Sequence, residues 1–171
     1  MRPFRVDLFD IVKSPGTSLD VTGEIELDGF DKGGDRVELT GPAAMDLVVE
    51  NVGDGAFILR GRLTAGLALF CGRCLKPFAL DVKPEVEALF RSAAVFGEES
   101  YPVDGNQLDI APALTEALVL EVPYAAVCEE SCQGLCPVCG ADMHEAPCAC
   151  EIESSDPRLA RLKDWMEQQG R

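Results

Sequence analysis

The sequence has little positive charge. Its 171 residues include 30 acidic and only 15 basic side chains, which gives a formal net charge of −15 at pH 7. Nucleic-acid affinity comes largely from Lys and Arg side chains that neutralise phosphates. A chain so poor in them is not suited to hold RNA over most of its surface, whereas an acidic surface attracts a basic partner.

The shortage of basic residues is greatest in the C-terminal half. Residues 111–155 contain no Lys or Arg but eight Asp and Glu residues. This region should repel RNA unless a basic protein lies between them. The simpler alternative is that these acids only keep the surface soluble.

Long apolar runs are also missing. No stretch approaches the roughly 18 residues of a membrane span, and the start, "MRPFRVDLFDIVKSPG", lacks the apolar core of a secretory signal. Hydrophobic residues still make up 47% of the chain, enough for a folded body of one domain plus a small appendage. We therefore predict a cytoplasmic protein without a membrane segment.

The usual catalytic arrangements are absent as well. The single histidine, His144, lies in a cysteine-rich stretch, and no Ser-His-Asp arrangement or glycine-rich phosphate loop is present. Acidic residues are plentiful, but no pair stands out as an acid and a base. We expect a protein that is not an enzyme and has no small-molecule substrate.

Residues 21–90 have the pattern of antiparallel strands. Alternating segments are separated by turn signals such as "GDG" at 53–55, and a long apolar segment leads into Cys71. The segment after "CGRCLKPF" predicts a returning strand, which places Cys71 and Cys74 at a hairpin turn. The predicted fold class is α+β, with an antiparallel curled or barrel-like sheet, a packing helix, a cysteine-rich zinc-binding tail and a short C-terminal helix.

A helix is predicted from Pro112 to about Glu121, because proline suits the first helical position and Pro123 ends the pattern. Its apolar stripe should pack on the sheet and consists of Leu114, Leu118 and Val122. The preceding residues, 92–107, are polar and rich in turn formers, so they predict a loop.

A second, amphipathic helix is predicted near the C-terminus. Asp156 would cap it, Pro157 would start it, and its apolar stripe would contain Leu159, Leu162 and Trp165 or Met166. The predicted organisation is a sheet-plus-helix body over 1–127, a cysteine-rich segment over 128–152 docked on it, and this helix within 153–171.

The eight cysteines are the strongest signal in the sequence. Disulfides are rare in a reducing compartment, and C-x2-C spacing is typical of metal ligands. The cysteines form four pairs: Cys71/Cys74, Cys128/Cys132, Cys136/Cys139 and Cys148/Cys150. Eight thiolates would complete two tetrahedral four-cysteine zinc sites, and such closed sites are structural.

Loop lengths favour one way of combining the pairs. Residues 133–135 are too few to carry the chain comfortably around one ion, whereas residues 140–147 form an adequate loop. The second site therefore contains Cys136, Cys139, Cys148 and Cys150. By elimination, the first contains Cys71, Cys74, Cys128 and Cys132, and would tie the hairpin to the end of the helix.

Two alternatives compete with this assignment. "CPVCGADMHEAPC" is one residue shorter than a nucleic-acid-binding zinc knuckle, which would make His144 a ligand and leave Cys150 spare; however, the segment has no basic or aromatic residue to hold RNA. "CGRC" also resembles a dithiol redox pair that would use Cys71 and Cys74, but Pro77 opposes the helix that such a pair needs.

One region could contact RNA directly. Residues 60–91 carry a local positive charge with Phe70, Phe78 and Phe90 interleaved. The candidate contacts are Arg60, Arg62, Arg73 and Lys76, and Arg60 and Arg62 would share one face of a strand. The alternative is that the arginines are solvated and the phenylalanines belong to the core.

Three motifs together resemble the YceD family, the large ribosomal RNA subunit accumulation proteins. They are "LFCGRCLKPF" at 69–78, "IAPALTEALVLEVP" at 110–123, and "CEESCQGLCPVCGADM" followed by "CAC" at 128–150. The first 68 residues match only in general character.

The resemblance implies a non-enzymatic protein needed for the accumulation or processing of large-subunit ribosomal RNA and for assembly of the large ribosomal subunit. The implied partners are a ribosomal protein or a pre-ribosomal particle, with ribosomal RNA itself a further candidate. Family tails of this type often have Asn where this chain has His144, which argues against a histidine ligand.

Overall fold

The computed structural model describes residues 3–92, 100–143 and 148–150, together with residues 161, 165 and 166. Within these residues the chain forms ten β-strands and the helix α1. Their bounds are β1 Arg5–Asp7, β2 Ser18–Ile25, β3 Phe30–Lys32, β4 Asp35–Leu39, β5 Ala43–Gly53, β6 Ala56–Phe70, β7 Pro77–Val82, β8 Glu85–Ser92, β9 Tyr101–Asp104, β10 Gln107–Asp109 and α1 Ala111–Glu121.

The long strand β6 organises the sheet. Its first half pairs with β5 on one edge and β8 on the other, and its second half pairs with β4 and β7. Both neighbours change near the middle of β6, so the sheet curls into half a barrel. Side chains alternate between the core and the solvent, as in β5, where Ala43, Met45, Leu47 and Val49 are buried.

The turn between β5 and β6 follows the sequence prediction. Asp54 and Gly55 both have positive φ, 52° and 68°, as a two-residue type I′ hairpin turn requires. Glycine and aspartate accept this conformation more readily than most residues. The predicted turn at 53–55 is therefore confirmed.

The prediction of an antiparallel sheet is only partly correct. β8 and β9 pair in parallel, with Phe90 opposite Tyr101, so the sheet is mixed. Within the predicted loop, 92–107, residues 101–104 form β9 and residue 107 begins β10, while residues 93–99 lie outside the described residues. These strands are short and polar, and β10 pairs with β1, about 100 positions earlier in the chain, which no local pattern reveals.

Helix α1 covers Ala111–Glu121, as the sequence predicts to within one residue. Leu114, Leu118 and Val122 are buried in the main hydrophobic core. The ammonium group of Lys32 donates hydrogen bonds to the carbonyl oxygens of Val119 and Val122, which satisfies acceptors left free at the C-terminal end of the helix. The helix is thus fixed by apolar packing and by a charged cap from β3.

Two compact units divide the described chain. One contains residues up to Cys71 and the segment Lys76–Cys128, hence the whole sheet and α1. The other contains Gly72–Leu75 and the described residues from Glu129 onward.

The predicted C-terminal helix falls largely outside the described residues, including its cap at Asp156 and Pro157. Arg161, Trp165 and Met166 are described, have helical backbone and are exposed.

Gly61 is a point at which β6 and β5 approach closely. Its φ is +146°, and a Cβ atom there would lie 2.2 Å from the carbonyl oxygen of Asp46 and 2.7 Å from Cα of Leu47. Gly61→Ala should destabilise the fold by about 3 kcal/mol, because backbone atoms of two paired strands must move apart. Urea denaturation measures this loss. Gly41→Ala, where a Cβ atom meets nothing within 4 Å, is the control, and equal stability of the two variants would contradict the prediction.

Candidate metal centres

The hairpin between β6 and β7 positions the first pair of cysteines. Phe70 pairs with Pro77, and the amide of Cys71 donates a hydrogen bond of 2.9 Å to the carbonyl oxygen of Lys76. Leu75 has a φ of 60°, which lets the chain reverse within six residues, 71–76. Cys71 and Cys74 are both buried at this turn, in the hairpin position that the sequence predicts.

Arg73 organises the chain around Cys132. Its guanidinium donates hydrogen bonds to the carbonyl oxygens of Cys132, at 2.8 Å, and Glu130, at 3.1 Å. The carbonyl of Arg73 accepts from the amide of Leu135. Gly134, with a φ of +76°, lets the chain pass so closely that a Cβ atom would lie 3.0 Å from that carbonyl. Arg73 was predicted as a possible RNA contact, but its side chain holds the backbone next to Cys132.

The first cluster consists of the thiols of Cys71, Cys74, Cys128 and Cys132. Their sulfur atoms all lie within 4.8 Å of one another. Three of the four residues are buried, and Cys128 is exposed. The structure thus brings together the same four cysteines that loop lengths select.

The second cluster consists of the thiols of Cys136, Cys139, Cys148 and Cys150, which also lie within 4.8 Å of one another. A narrow turn supports it: Leu135 bridges to Asp142, and the amide of Cys136 donates to the carbonyl of Ala141 at 2.7 Å. Gly140, with a φ of 73°, donates its amide to the carbonyl of Cys136 at 2.9 Å and reverses the chain.

Backbone amides stabilise a thiolate within this turn. Hydrogen bonds from the amides of Cys139 and Val138 lower the pKa of Cys136 to about 6, and the Val138 nitrogen lies 3.4 Å from its sulfur. The neighbouring thiols have the opposite effect on Cys150, whose pKa the side chains of Cys139 and Cys148 raise to about 12. Four thiols this close cannot all ionise unless a cation compensates their charge.

Both clusters fit a tetrahedral metal ion. A Zn–S bond of about 2.3 Å places sulfur atoms about 3.8 Å apart, within the 4.8 Å limit of each cluster. Four sulfur donors of this kind suit Zn²⁺ and leave no position for a substrate, which is the composition of a structural site. Each cluster could therefore hold a metal ion.

Cys150 discriminates between the two assignments of the tail. The zinc-knuckle alternative leaves it spare, whereas its sulfur lies within the second cluster. His144, the ligand in that alternative, lies outside the described residues. The position of Cys150 favours a site with four cysteine ligands.

The geometry around Cys71 and Cys74 does not favour dithiol redox chemistry. A reactive cysteine needs access and, in this motif, a helix N-terminus that lowers its pKa. Here the chain continues from the turn into β7, and both residues are buried.

Arg60 and Arg62 share one face of β6, as predicted, but acidic residues accompany them. Arg60 lies 3.1 Å from Glu87 and 3.9 Å from Glu50, and Arg62 lies 3.8 Å from Glu85. All of these side chains are exposed, so the ion pairs add little stability, but they offset the positive charge that would attract phosphate. The strand register explains these ion pairs, because it places Glu87 opposite Arg60 and Glu85 opposite Arg62.

The aromatic residues near this region have different environments. Phe90 is buried and packs on Tyr101 with 5.3 Å between ring centroids, and Phe78 is partly buried against the core. Phe70 is exposed. Lys76 is also exposed at the end of the hairpin turn. The predicted combination of arginines and three interleaved phenylalanines therefore does not form one surface.

These features define a class: a curled mixed sheet with one packed helix and two four-cysteine clusters, one of which uses a β-hairpin turn. The family model described as "Large ribosomal RNA subunit accumulation protein YceD" matches residues 59–165, which include all eight cysteines. The chain belongs to the YceD family.

Curated relatives agree with this assignment. Proteins of Mycobacterium tuberculosis and Mycobacterium leprae are each 30% identical to it, over 128 residues (71% of this chain, 61% of the relative) and 137 residues (76% and 62%). The chain thus spans about three fifths of their length. The Arabidopsis thaliana protein "Large ribosomal RNA subunit accumulation protein YCED homolog 1, chloroplastic" is 30% identical over 71 residues, 40% of this chain and 22% of that protein.

No solved structure matches the chain. Among the described residues, no helix has the length and apolar character needed to cross a membrane.

Proposed function

We propose that this protein is a non-enzymatic, cytoplasmic factor for the accumulation of large-subunit ribosomal RNA, and that it acts in assembly of the large ribosomal subunit. The observation that carries the proposal is the family match, which spans both cysteine clusters and bears the description of a large ribosomal RNA subunit accumulation protein. The printed name of the Arabidopsis relative agrees with it.

We further propose that each cluster holds one structural zinc ion. The ligands would be Cys71, Cys74, Cys128 and Cys132 in the first site and Cys136, Cys139, Cys148 and Cys150 in the second. Bound zinc would neutralise the thiolate charge and fix the turns that carry the ligands.

A basic protein is the partner that the charge distribution favours. The net charge is −15, and the arginines on β6 are accompanied by glutamates. We propose that the protein binds a ribosomal protein, or the part of a pre-ribosomal particle that exposes one, and that its contact with ribosomal RNA is indirect.

Depletion of the protein from cells should lower the amount of large-subunit ribosomal RNA and of assembled large subunits, with small subunits spared. Sucrose-gradient profiles and RNA quantification measure the effect, and resupply of the natural chain is the control. Normal large-subunit RNA after depletion would contradict the proposed function.

Affinity capture separates protein-mediated from RNA-mediated association. Ribosomal proteins should remain bound after RNase treatment, and Arg60→Glu combined with Arg62→Glu should not reduce their capture, since these arginines are already accompanied by Glu87 and Glu85. Loss of capture after RNase, or in the double variant, would instead support direct RNA binding.

A further inference from the structure

The outer edge of β8 lacks a complete partner strand. β8 pairs with β6 along residues 85–91, but its parallel partner β9 meets it only from Phe90 onward. Among the residues that the structure describes, none pairs with the outer edge of β8 between positions 85 and 89. Such an edge presents unpaired N–H and C=O groups that can pair with an added strand.

Strand alternation identifies the groups that face outward. The carbonyl of Pro84 accepts a hydrogen bond from the amide of Leu63, so it points toward β6. Because successive residues of a strand direct their backbone groups to opposite edges, the groups of Glu85, Glu87 and Leu89 point away from β6. By the same alternation Arg91, which lies opposite Pro102 of β9, directs its groups away from β6.

The open edge borders a groove whose other wall is α1. The groove has a volume of about 470 Å³. Its apolar lining includes Val86, Ala88, Ala113, Ala117 and Leu120. Val86, Ala88 and Ala113 are buried at the floor of the groove, whereas Ala117 is partly exposed and Leu120 is 77% exposed, so the C-terminal part of this helix side is accessible.

Acidic side chains border the same groove. They are Glu85 and Glu87 on β8 and Glu116 on α1, which accepts a hydrogen bond from the hydroxyl of Tyr101. No Lys or Arg lies among the described lining residues. Arg60 and Arg62 lie beside Glu87 and Glu85 and offset part of this charge, but with Glu50 and Glu116 the carboxylates outnumber these two arginines. An occupant is therefore expected to carry positive charge.

We propose that the outer edge of β8 and the adjoining face of α1 bind an extended segment of a basic protein, in which Lys or Arg alternates with apolar residues. The segment would add a strand beside β8, with main-chain hydrogen bonds to Glu85, Glu87 and Leu89. One of its faces would place apolar side chains against Ala117 and Leu120, and the other would place cations near Glu85 and Glu87. This inference deepens the proposed function and rests on it for the class of partner.

Charge argues against the other occupants of this edge. A second copy of the chain, paired through the same edge, would bring Glu85 and Glu87 close to their own counterparts, and like charges across paired strands are destabilising. RNA would meet three carboxylates in the groove, and the nearby Arg60 and Arg62 are already paired with two of them.

The test uses the full zinc-loaded chain and a fluorescent peptide of alternating Lys and Val. The peptide should bind, its affinity should fall as salt increases, and an alternating Glu and Val peptide should not bind. Hydrogen exchange followed by NMR should show that the amides of Glu87 and Leu89 exchange readily in the free protein and become protected when the peptide is added. If these amides are already protected without peptide, the edge is closed and the proposal is wrong.

Two substitutions at one position separate main-chain pairing from charge. Glu87→Pro removes both the carboxylate and an outward N–H, whereas Glu87→Gln removes only the carboxylate. Proline is tolerated at an edge position whose N–H does not serve the existing ladder. Glu87→Pro should bind the Lys-Val peptide about tenfold more weakly than Glu87→Gln, since one main-chain hydrogen bond to the added strand is lost. Equal binding by the two variants would refute strand addition.

Further outcomes also decide the question. Concentration-dependent dimerisation that protects the amides of Glu87 and Leu89 would identify a second copy as the occupant and overturn the proposal. If depletion lowers large-subunit RNA but the Lys-Val peptide does not bind, the groove proposal fails and the proposed function stands. If the peptide binds as described but depletion has no effect on the RNA, the proposed function fails and the groove remains a site for basic segments.

Discussion

Cys71→Ser is expected to release one of the two proposed zinc ions and to loosen the chain around Cys132, far from the substitution in sequence. The sulfur atoms of Cys71, Cys74, Cys128 and Cys132 lie within 4.8 Å of one another, so loss of one leaves three ligands where a closed site needs four. Because much of the free energy of zinc binding is folding energy, the loss should be several kcal/mol. Elemental analysis measures the zinc, and hydrogen exchange at residues 129–135 measures the local effect.

The second cluster provides matched controls for this experiment. Cys136→Ser removes a ligand of the other cluster and should also release one ion, but it should leave Cys71 and Cys74 protected from thiol reagents. Val138→Ala changes an exposed residue of the second turn that supplies no ligand, and it should retain both ions. Unchanged exchange at residues 129–135 in Cys71→Ser would show that Cys71 does not hold an ion with Cys128 and Cys132.

Local sequence patterns predicted the centre of the sheet well. The alternation of β5, the Asp54-Gly55 turn and the long apolar strand β6 each reflect interactions between neighbours in the sequence. The helix α1 was predicted for the same reason, since Pro112 and the stripe containing Leu114 and Leu118 are local signals.

Pairings between distant residues could not be predicted in this way. β10 pairs with β1, and β8 and β9 run in parallel, although neither strand of the β9–β10 hairpin exceeds four residues. Their stability comes from ladders with distant partners and from burial of Leu108, not from the propensity of a polar segment.

The cysteine clusters could be predicted because sulfur spacing and loop length limit the combinations. The charge around Arg60 and Arg62 could be predicted only with knowledge of the strand register. Arg60 and Arg62 are basic in a count along the sequence, but β8 places Glu87 and Glu85 opposite them. Likewise, the use of Arg73 to hold the carbonyls of Glu130 and Cys132 leaves no local trace in the "CGRC" motif.

Cys150→Ser should release one zinc ion, and His144→Ala should release none. The reason is that Cys150 belongs to the group formed by Cys136, Cys139 and Cys148, which supplies four sulfur donors without a histidine. Native mass spectrometry counts the ions in both variants. Substitution with Co²⁺ gives a second measurement, because its absorption should be that of four thiolates in the natural chain and in His144→Ala.

The reverse result would favour the zinc-knuckle arrangement, C-x2-C-x4-H-x3-C, in which Cys150 is spare and His144 is a ligand. That arrangement would leave Cys150 as a free thiol able to react with alkylating agents while zinc remains bound. With four cysteine ligands, Cys150 should instead react only after a chelator removes the metal, together with Cys136, Cys139 and Cys148. The order of zinc release and Cys150 alkylation therefore distinguishes the two sites even if Cys150→Ser does not fold.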